Sequence, residues 1–494
     1  MKTNIVSNDD KRVLDKIEPQ KVFYYFEEIS KIPRGSGNTK LICDYCQNFA
    51  EKHNFKYVRD EYNNIIIFKP GTNGYENSKP VMIQGHLDMV CEKDDDVEID
   101  FEKDGLRLAV KDGLVYAEGT TLGADDGIAV AYALAILDSE DIDHPALEVI
   151  FTVDEEIGML GASALDTSSL SSNIMLNLDT EDEGYFLVSC AGGVTASCVL
   201  PVKRVKAKGY EAVLKIDGLT GGHSGIEIDK CRANANQLMG RLLYSLCYDY
   251  EFYIDYVRGG NKDNAITRSC EARLIFSEKT DLIELDKTVK DLLMTYQWEF
   301  ESTDPDLDIV LECTLSPMMA DILSEDSTKK VITTLYSLPG GVQKMSRDIE
   351  GLVQTSLNMG ILDTKDSEVK MSFSVRSSVS AEKVELLTRM ECLMKYMGGN
   401  VILDGDYPAW EFRKESPLRD LMVDVFEEQY EAEPIVYAVH AGVECGIFAD
   451  KIDDLDCVSF GPELKNIHTT RETMNIASVQ RTWNLLLETL KRLK

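Results

Sequence analysis

Short apolar segments alternate with helical patterns from residue 18 to about residue 188, and this alternation constrains the fold most strongly. Strand patterns occur at NNIIIF, PVMIQGH, LEVIFTV and NIMLNLD, and helical patterns occur at KVFYYFEEISKI, TKLICDYCQNFAEKH and DGIAVAYALAIL. Alternation of this kind is typical of α/β domains in which helices cover a sheet. We therefore predict an α/β fold with a mixed, largely parallel sheet flanked by helices.

The pattern changes near SCAGGV, which begins a region of polar alternation in segments such as YEAVLKIDGL, SCEARLIFS and EVKMSFSVRSS. Helical stretches separate these strands, as in α+β domains. An α/β pattern returns after about residue 400. We predict one α/β domain formed by residues 1–188 and 399–494, interrupted by an inserted α+β domain of residues 189–398. This insert is long enough to dimerise or to contain an internal duplication, and the sequence leaves both open.

The composition excludes several classes of partner. The chain has 494 residues, of which 52 are Lys or Arg and 86 are Asp or Glu, so the formal net charge is −34. Such a surface repels phosphate backbones, and we expect no nucleic acid and no anionic membrane as partner. The N-terminus MKTNIVSNDDKRVL lacks the apolar core of a signal peptide, and the apolar run Ile128–Leu137 is too short to span a bilayer. We expect a soluble, cytoplasmic protein.

Twelve cysteines are spread along the chain, and the only close pair is Cys43 and Cys46. This pair lies in a helical pattern, and no second CxxC completes a metal cage. We interpret the cysteines as free thiols in a reducing compartment.

Residues of metal-ligand type follow several of the apolar elements. They are His86, Asp88, Asp125, Asp126, Asp154, Glu155, Glu156, Asp179 and His468. The carboxyl ends of strands in an open α/β sheet converge on one crevice, so these residues can meet despite their separation. Taken singly, each has an ordinary structural explanation, such as a hydrogen-bonded histidine or a helix cap. Taken together, this much buried negative charge is costly unless cations neutralise it.

The ligand types indicate which cations suit such a site. Imidazole and carboxylate without thiolate favour zinc, cobalt or manganese over magnesium or calcium. Two histidines and three carboxylates, one of them bridging, fit two divalent ions about 3.5–4 Å apart. We predict two such ions, with zinc favoured, and a shared water that attacks a carbonyl or phosphoryl group.

An ordered series of motifs covers nearly the whole chain. It runs through ISKIPRGSGN, GHLDMV, GTTLGADDG, TVDEEIGMLGA, NLDTEDEG, SCAGG, GGHSG, HAGVECGIF and GPELKNIHTTRE. In these motifs the chain resembles the co-catalytic zinc peptidases related to aminoacylase and glutamate carboxypeptidase, and more closely the bacterial aminoacyl-histidine dipeptidases. The resemblance implies metal-dependent hydrolysis of small peptides, namely dipeptides that include Xaa-His substrates such as carnosine.

The resemblance also implies residue roles at the matching positions. One metal is held by His86, Asp125 and Asp179, and the other by Asp125, Glu156 and His468, so Asp125 bridges. The implied general base is Glu155, while Asp88 keeps the His86 ring in its ligating tautomer. A cis peptide is implied between Asp125 and Asp126.

Five further residues are candidates for substrate contact. His223 in LTGGHSG is the candidate oxyanion stabiliser, and its flanking glycines allow close approach to a ligand. An amide such as Asn264 can bind a carbonyl, and Arg376 can clamp a terminal carboxylate with two hydrogen bonds. His440 and Glu444 lie in VHAGVECGIF, where Glu444 is of the type that binds a substrate amino group. Each of these residues has a purely structural alternative.

Three functions remain open on the sequence. The first is a dinuclear metal dipeptidase, and the second is an aminopeptidase or N-acyl amino acid deacylase on the same scaffold. The third is a non-enzymatic, acidic metal-binding scaffold. A carboxylate beside a ligand but not required as one, as Glu155 is, favours an enzyme.

Overall fold

The computed structural model describes residues 12–494. Most of the N-terminal segment in which we expected no signal peptide therefore lies outside the described residues. The chain forms two compact units. Unit 1 contains the chain up to Ser189, together with Phe412–Ala438 and Val443–Lys494, and unit 2 contains Cys190–Glu411 and Val439–Gly442.

The first part of unit 1 contains four helices and eight strands. The helices are α1 (Gln20–Ser30), α2 (Lys40–Lys52), α3 (Ala124–Leu137) and α4 (Leu160–Ala164). The strands are β1 (Lys56–Arg59), β2 (Ile65–Lys69), β3 (Val81–His86), β4 (Leu108–Lys111), β5 (Leu114–Ala117), β6 (Leu147–Thr152), β7 (Ile174–Asn177) and β8 (Tyr185–Cys190).

Unit 2 contributes the middle elements of the chain. Its strands are β9 (Gly192–Pro201), β10 (Arg204–Asp217), β11 (Gly222–His223), β12 (Phe252–Gly259), β13 (Ala265–Ile266), β14 (Cys270–Phe276), β15 (Asp308–Cys313), β16 (Met318–Leu323), β17 (Gly341–Met345), β18 (Val353–Thr364), β19 (Glu368–Ser377) and β20 (Asn400–Tyr407). Its helices are α5 (Ala235–Leu246), α6 (Leu282–Glu299), α7 (Glu325–Ser337) and α8 (Ser380–Met397), with a 3-10 turn at Ile228–Lys230.

The last part of the chain returns to unit 1. It contains α9 (Pro417–Tyr430), β21 (Ile435–Val439), α10 (Glu444–Lys451), β22 (Asp456–Ser459), β23 (Leu464–Lys465), β24 (Thr473–Asn475) and α11 (Ile476–Arg492).

The main sheet of unit 1 is mixed. Its order is β1-β2-β6-β3-β7-β22-β8-β21, and the four central strands β6, β3, β7 and β22 run parallel to one another. The neighbours β2 and β8 are antiparallel to this centre. The sequence therefore predicted the α/β class and the mixed sheet correctly, and the parallel pairing includes its four central strands. Parallel strands end at the same edge, and the candidate site residues follow those ends.

The buried helix α3 packs against the central strand β3. Every residue of α3 is buried, as a helix that is apolar on all sides requires. The backbone of Asp125 and Asp126 is not helical, and the peptide bond between them is cis, which confirms the sequence-based prediction. The regular part of α3 therefore begins after two acidic residues at the edge where the parallel strands end.

Unit 2 is built on an antiparallel sheet with its own hydrophobic core. The sheet order is β15-β10-β14-β12-β18-β19-β9-β20, and β16 and β17 pair with β10 and β18. The strands β12 and β18 pair at one position, Gly259 with Leu362. One residue pair therefore joins the two halves of the sheet at this point. The sequence-based boundary at residue 398 precedes β20, which pairs with β9, and unit 2 extends to Glu411.

Within residues 12–494, no helix has both the length and the apolar character needed to cross a membrane.

Candidate metal centre

Five candidate ligands lie together in unit 1, where the parallel strands end. The last residue of β3 is His86, and Glu156 and Asp179 follow the ends of β6 and β7. Asp125 lies at the start of α3, and His468 lies between β23 and β24. Each side chain is delivered by a different element, as the strand-end pattern of the sequence predicted.

The first group consists of His86, Asp125 and Asp179. The Nε2 atom of His86 lies 3.1 Å from Oδ1 of Asp125 and 3.7 Å from Oδ1 of Asp179. One ligand atom from each residue lies within 4.8 Å of the others. This spacing suits a single cation between the three side chains.

The second group consists of Asp125, Glu156 and His468, again with mutual ligand distances within 4.8 Å. The Nε2 atom of His468 lies 3.0 Å from Oδ2 of Asp125 and 3.0 Å from Oε1 of Glu156. The two oxygens of Asp125 therefore face two different histidines. This is the geometry of a carboxylate that bridges two cations.

The electrostatics of this cluster favour bound cations. Burial, reinforced by the neighbouring Asp126 carboxylate, raises the pKa of Asp179 well above the usual aspartate range. Two hydrogen bonds, a larger contribution from Asp125 and a smaller one from Glu156, raise the pKa of His468 to about 10. The carboxylates outnumber the histidines, and burial penalises the excess negative charge. Imidazole nitrogens and carboxylate oxygens are ligands for divalent transition metals, so the residues present fit two such ions.

The Asp88 carboxylate connects the His86 ring to the segment that bears Glu155 and Glu156. Asp88 is fully buried, and Nδ1 of His86 lies 3.1 Å from the backbone carbonyl oxygen of Asp88 and 3.4 Å from its Oδ1. The same carboxylate accepts hydrogen bonds from the backbone N–H groups of Glu155 and Glu156, at 3.1 and 3.4 Å. A proton on Nδ1 of His86 leaves Nε2 free to coordinate a metal, which is the arrangement that a ligating histidine needs.

Glu155 lies beside the candidate ligands. One of its carboxylate oxygens is within 4.8 Å of ligand atoms of His86 and Glu156. Burial, with contributions from Glu444 and Glu156, raises the pKa of Glu155 to about 8. A carboxyl group beside the candidate ligands can accept a proton from a water molecule and release it again.

Glu444, which the sequence suggested as a partner for a substrate amino group, contacts two central strands of unit 1. Only 1% of Glu444 is exposed, and its Oε2 accepts hydrogen bonds from Nε2 of Gln84 at 2.5 Å and from Oγ1 of Thr152 at 2.7 Å. Gln84 and Thr152 lie in β3 and β6, so the carboxylate joins the strands that bear His86 and Glu155. These contacts show that Glu444 supports the central strands, while its buried Oε1 has no hydrogen-bond partner in the described part of the chain.

In unit 2, the structure places His223 beside Asn264. The short pair β11–β13 sets His223 opposite Ala265, the residue after Asn264. The Nδ1 atom of His223 accepts hydrogen bonds from the backbone N–H groups of Gly225 and Ile226, at 3.1 and 3.2 Å. Burial and Arg376 lower the pKa of His223, so the ring is neutral near pH 7 and its single proton lies on Nε2. The Asn264 residue is exposed.

Arg376 and His440 form a polar cluster, also within unit 2. Arg376 is 8% exposed and donates from Nη1 to the Tyr407 hydroxyl at 2.7 Å, while its buried Nε has no hydrogen-bond partner in the described part of the chain. The Nε2 atom of His440 lies 2.7 Å from the Ser356 hydroxyl. Burial and Arg376 lower the pKa of His440 to about 3, so this ring is neutral. The sequence had placed His440 in the returning α/β segment, whereas Val439–Gly442 belongs to unit 2.

Two buried charged residues near Asp125 were not singled out from the sequence. They are Arg34 in IPRGSGN and Glu472 in HTTRE, which contact the segment before Asp125. Glu472 shares the motif GPELKNIHTTRE with His468, which was an available signal, whereas the motif ISKIPRGSGN of Arg34 contains no candidate ligand.

Comparison with known proteins identifies the family of this chain. The model of peptidase family M20/M25/M40 matches residues 82–492. The cytosol non-specific dipeptidase of Escherichia coli strain K12 is 35% identical over 488 residues, which is 97% of this chain and 99% of that protein.

Solved structures extend this likeness to the fold. The aminoacylhistidine dipeptidase from Vibrio alginolyticus superposes with a TM-score of 0.92 at 32% identity, covering 98% of both chains. The aminopeptidase PepT from Bacillus cereus ATCC 10987 has a TM-score of 0.55 at 14% identity, covering 97% of this chain and 99% of that one, and therefore shares the fold.

Proposed function

The chain belongs to peptidase family M20/M25/M40, and from that premise we propose that it hydrolyses dipeptides with two divalent metal ions bound in unit 1. The relatives named as a non-specific dipeptidase and an aminoacylhistidine dipeptidase support a broad range of dipeptides that includes Xaa-His substrates. The Escherichia coli relative is named a cytosol enzyme, which supports the same location for this protein.

The geometry of Asp125 is the main support for this proposal. Its two carboxylate oxygens lie 3.1 and 3.0 Å from the Nε2 atoms of His86 and His468. In our proposal one ion is held by His86, Asp125 and Asp179, and the other by Asp125, Glu156 and His468. Two imidazoles and three carboxylates favour zinc, with cobalt or manganese as substitutes.

The mechanism assigns proton transfer to Glu155. Two bound ions would lower the pKa of a water molecule and polarise the scissile carbonyl group. Glu155 removes a proton from the attacking water and delivers it to the leaving amine. Asp88 keeps the His86 ring in the tautomer that presents Nε2, and Glu444 supports the strands beneath the ligands.

Residues of unit 2 contact the substrate in our proposal. The Nε2–H group of His223 donates a hydrogen bond to the oxyanion that forms during attack, and Asn264 binds a carbonyl oxygen. The Arg376 guanidinium binds the terminal carboxylate, with neutral His440 beside it. Recognition of the terminal carboxylate by Arg376 would select dipeptides over longer peptides.

Replacement of Glu155 by glutamine tests the mechanism. We expect Glu155→Gln to keep two metal ions per chain and to lower kcat by about 100- to 10,000-fold, because the general base is lost. Glu27→Gln is the matched control, since Glu27 is a buried carboxylate of unit 1 that accepts the backbone N–H groups of Val13 and Leu14. Metal content is measured by mass spectrometry, and hydrolysis is measured with a dipeptide. Full activity in Glu155→Gln would refute the assigned base.

A substrate panel separates the remaining enzymes. Dipeptides, dipeptide amides, N-acyl amino acids and tetrapeptides are assayed with zinc, cobalt and manganese. We expect dipeptides to give the highest kcat/KM. Preference for N-acyl amino acids would favour a deacylase, and preference for tetrapeptides would favour an aminopeptidase. Two bound ions without hydrolysis of any substrate would favour the metal-binding scaffold.

A homodimer through the inserted domain, one of the two alternatives that the sequence leaves open, has a separate test. Sedimentation equilibrium gives the mass of the assembly, and a mass of one chain at micromolar concentration would argue against the dimer.

A further inference from the structure

Glu472 binds the backbone of the segment that precedes the bridging aspartate. This carboxylate is 2% exposed. It accepts hydrogen bonds from the N–H groups of Leu122, Gly123, Ala124 and Asp125, at 2.8, 3.0, 2.8 and 3.4 Å. Four consecutive N–H groups at the non-helical start of α3 thus share one carboxylate. Hydrogen bonds to an ionised acceptor are stronger than those between neutral groups.

Arg34 binds the same segment from its carbonyl side. The Nη2 atom of Arg34 donates to the carbonyl oxygen of Gly123, and Nη1 donates to the carbonyl oxygens of Leu87 and Asp88, each at 3.0 Å. The guanidinium therefore ties the residues after His86 to the residues before Asp125. Its planar fork allows these contacts to be made at once, which a lysine cannot reproduce.

The chain leaves room for this buried guanidinium. A Cβ atom at Gly123 would lie 2.6 Å from Nη2 of Arg34, and one at Gly127 would lie 2.5 Å from it. Gly123 also has a φ of 62°, a conformation that disfavours other residues. Both glycines are therefore needed for the guanidinium to occupy this position.

Glu472 also connects the segment before Asp125 to the turn that bears His468. Glu472 follows His468 by four residues, and its N–H group bonds to the carbonyl oxygen of Thr469 at 3.1 Å. His468 has a φ of 59°, which a histidine adopts at an energetic cost. Anchoring of the Glu472 side chain stabilises the turn that presents His468.

We propose that Arg34 and Glu472 are positioning residues that fix the Asp125 carboxylate between His86 and His468, and so set the affinity of the second of two metal ions. This inference rests on the proposed dinuclear function. Neither residue touches substrate, and both act through Asp125. A bridging carboxylate must be held to within about 0.5 Å to serve two ions, which explains why two buried charges are used on one short segment.

Metal titration tests the proposal without relying on activity. The apo-protein is titrated with Co²⁺ while visible absorption is recorded, and Zn²⁺ affinities are measured by competition with a chromophoric chelator. We expect Glu472→Gln and Arg34→Lys to weaken the second site by about 10- to 100-fold and to alter the cobalt spectrum. We also expect kcat to fall by a similar factor while KM changes less than about threefold, because substrate contacts stay in place.

The matched control is Glu148→Gln. Glu148 is also a buried carboxylate of unit 1, and it accepts the backbone N–H groups of Ser171 and Ser172. It lies in β6 near the end opposite to Glu155. We expect this variant to have lower thermal stability but unchanged metal affinities and an unchanged cobalt spectrum.

Three outcomes are distinguishable. A selective loss of the second ion in the two variants supports positioning. Wild-type affinities and spectra in both variants would overturn the inference and leave the proposed function intact. Fewer than two ions in the wild-type protein would overturn the proposed function itself. Glu472→Gln and Arg34→Lys give the same readout, so one of them suffices if the other does not fold.

Discussion

At the scale of single residues, the candidate centre depends on charges that are matched in pairs. Each oxygen of Asp125 faces a histidine, and the Nδ1 side of His86 faces Asp88. A buried charge without a partner costs several kcal/mol, so every one of these groups must be neutralised by a proton, a hydrogen bond or a cation. The identity of each side chain therefore matters more here than its size.

Arg376 gives a residue-scale prediction about substrate choice. We expect Arg376→Lys to raise KM for dipeptides by about 10- to 100-fold, since loss of a charge-assisted hydrogen bond costs about 1.5–3 kcal/mol. The same change should leave KM for the matching dipeptide amide nearly unaltered. Steady-state kinetics on both substrates measures the difference.

The control is Arg258→Lys, which alters an exposed arginine of unit 2. Arg258 bonds to Glu271 at 2.8 Å, and exposed ion pairs contribute little to stability. An equal rise in KM for the dipeptide and its amide in Arg376→Lys would contradict the proposal that Arg376 binds the terminal carboxylate.

Sequence patterns predicted the ligands but not their supports. His86 and Asp179 directly follow apolar strands, and that local signal is visible without a structure. Arg34 and Glu472 contact the same segment although they lie 438 residues apart in the sequence. Neither residue interrupts a periodic pattern. The contacts of Glu444 were not predictable, because a glutamate within a motif does not reveal which strands its carboxylate joins.

At the scale of elements, the strand ends and α3 form the platform for the site. β3 is buried along its whole length and packs on α3, so the side chains on the two elements must interlock. The bounds of β3, β6 and α3 follow the apolar runs closely, which is why they were predictable. The pairing of β20 was not predictable, because β20 is mostly exposed and pairs with β9, whose residues lie about 200 positions earlier.

Gly85 gives an element-scale prediction about this packing. A Cβ atom at Gly85 would lie 2.5 Å from Cβ of Ala129 and 2.5 Å from Oδ2 of Asp126. We expect Gly85→Ala to lower the free energy of unfolding by about 1–3 kcal/mol, because β3 must move away from α3. Urea denaturation measures this change.

A double-mutant cycle provides the control for that packing. Ala129→Gly removes one of the two clashing atoms, so the double variant should be less destabilised than the sum of the single variants. A change of less than about 0.5 kcal/mol in Gly85→Ala would contradict the close contact between β3 and α3.

At the scale of the whole molecule, the chain divides its tasks between two units with separate hydrophobic cores. All five candidate metal ligands belong to unit 1, and His223, Asn264, Arg376 and His440 belong to unit 2. The candidate ligand His468 follows all of unit 2 in the chain, and the preceding strand β22 pairs with β7 in the sheet that also contains β3. Removal of metal should therefore affect unit 1 first.

Anomalous scattering from crystals of the zinc-loaded protein tests the central claim most directly. Data collected on both sides of the zinc absorption edge locate the ions without reference to activity. We predict two peaks per chain about 3.5–4 Å apart, each within coordination distance of one Asp125 oxygen, with His86 at one ion and His468 at the other. A single peak, or two peaks that do not share Asp125, would contradict the dinuclear centre.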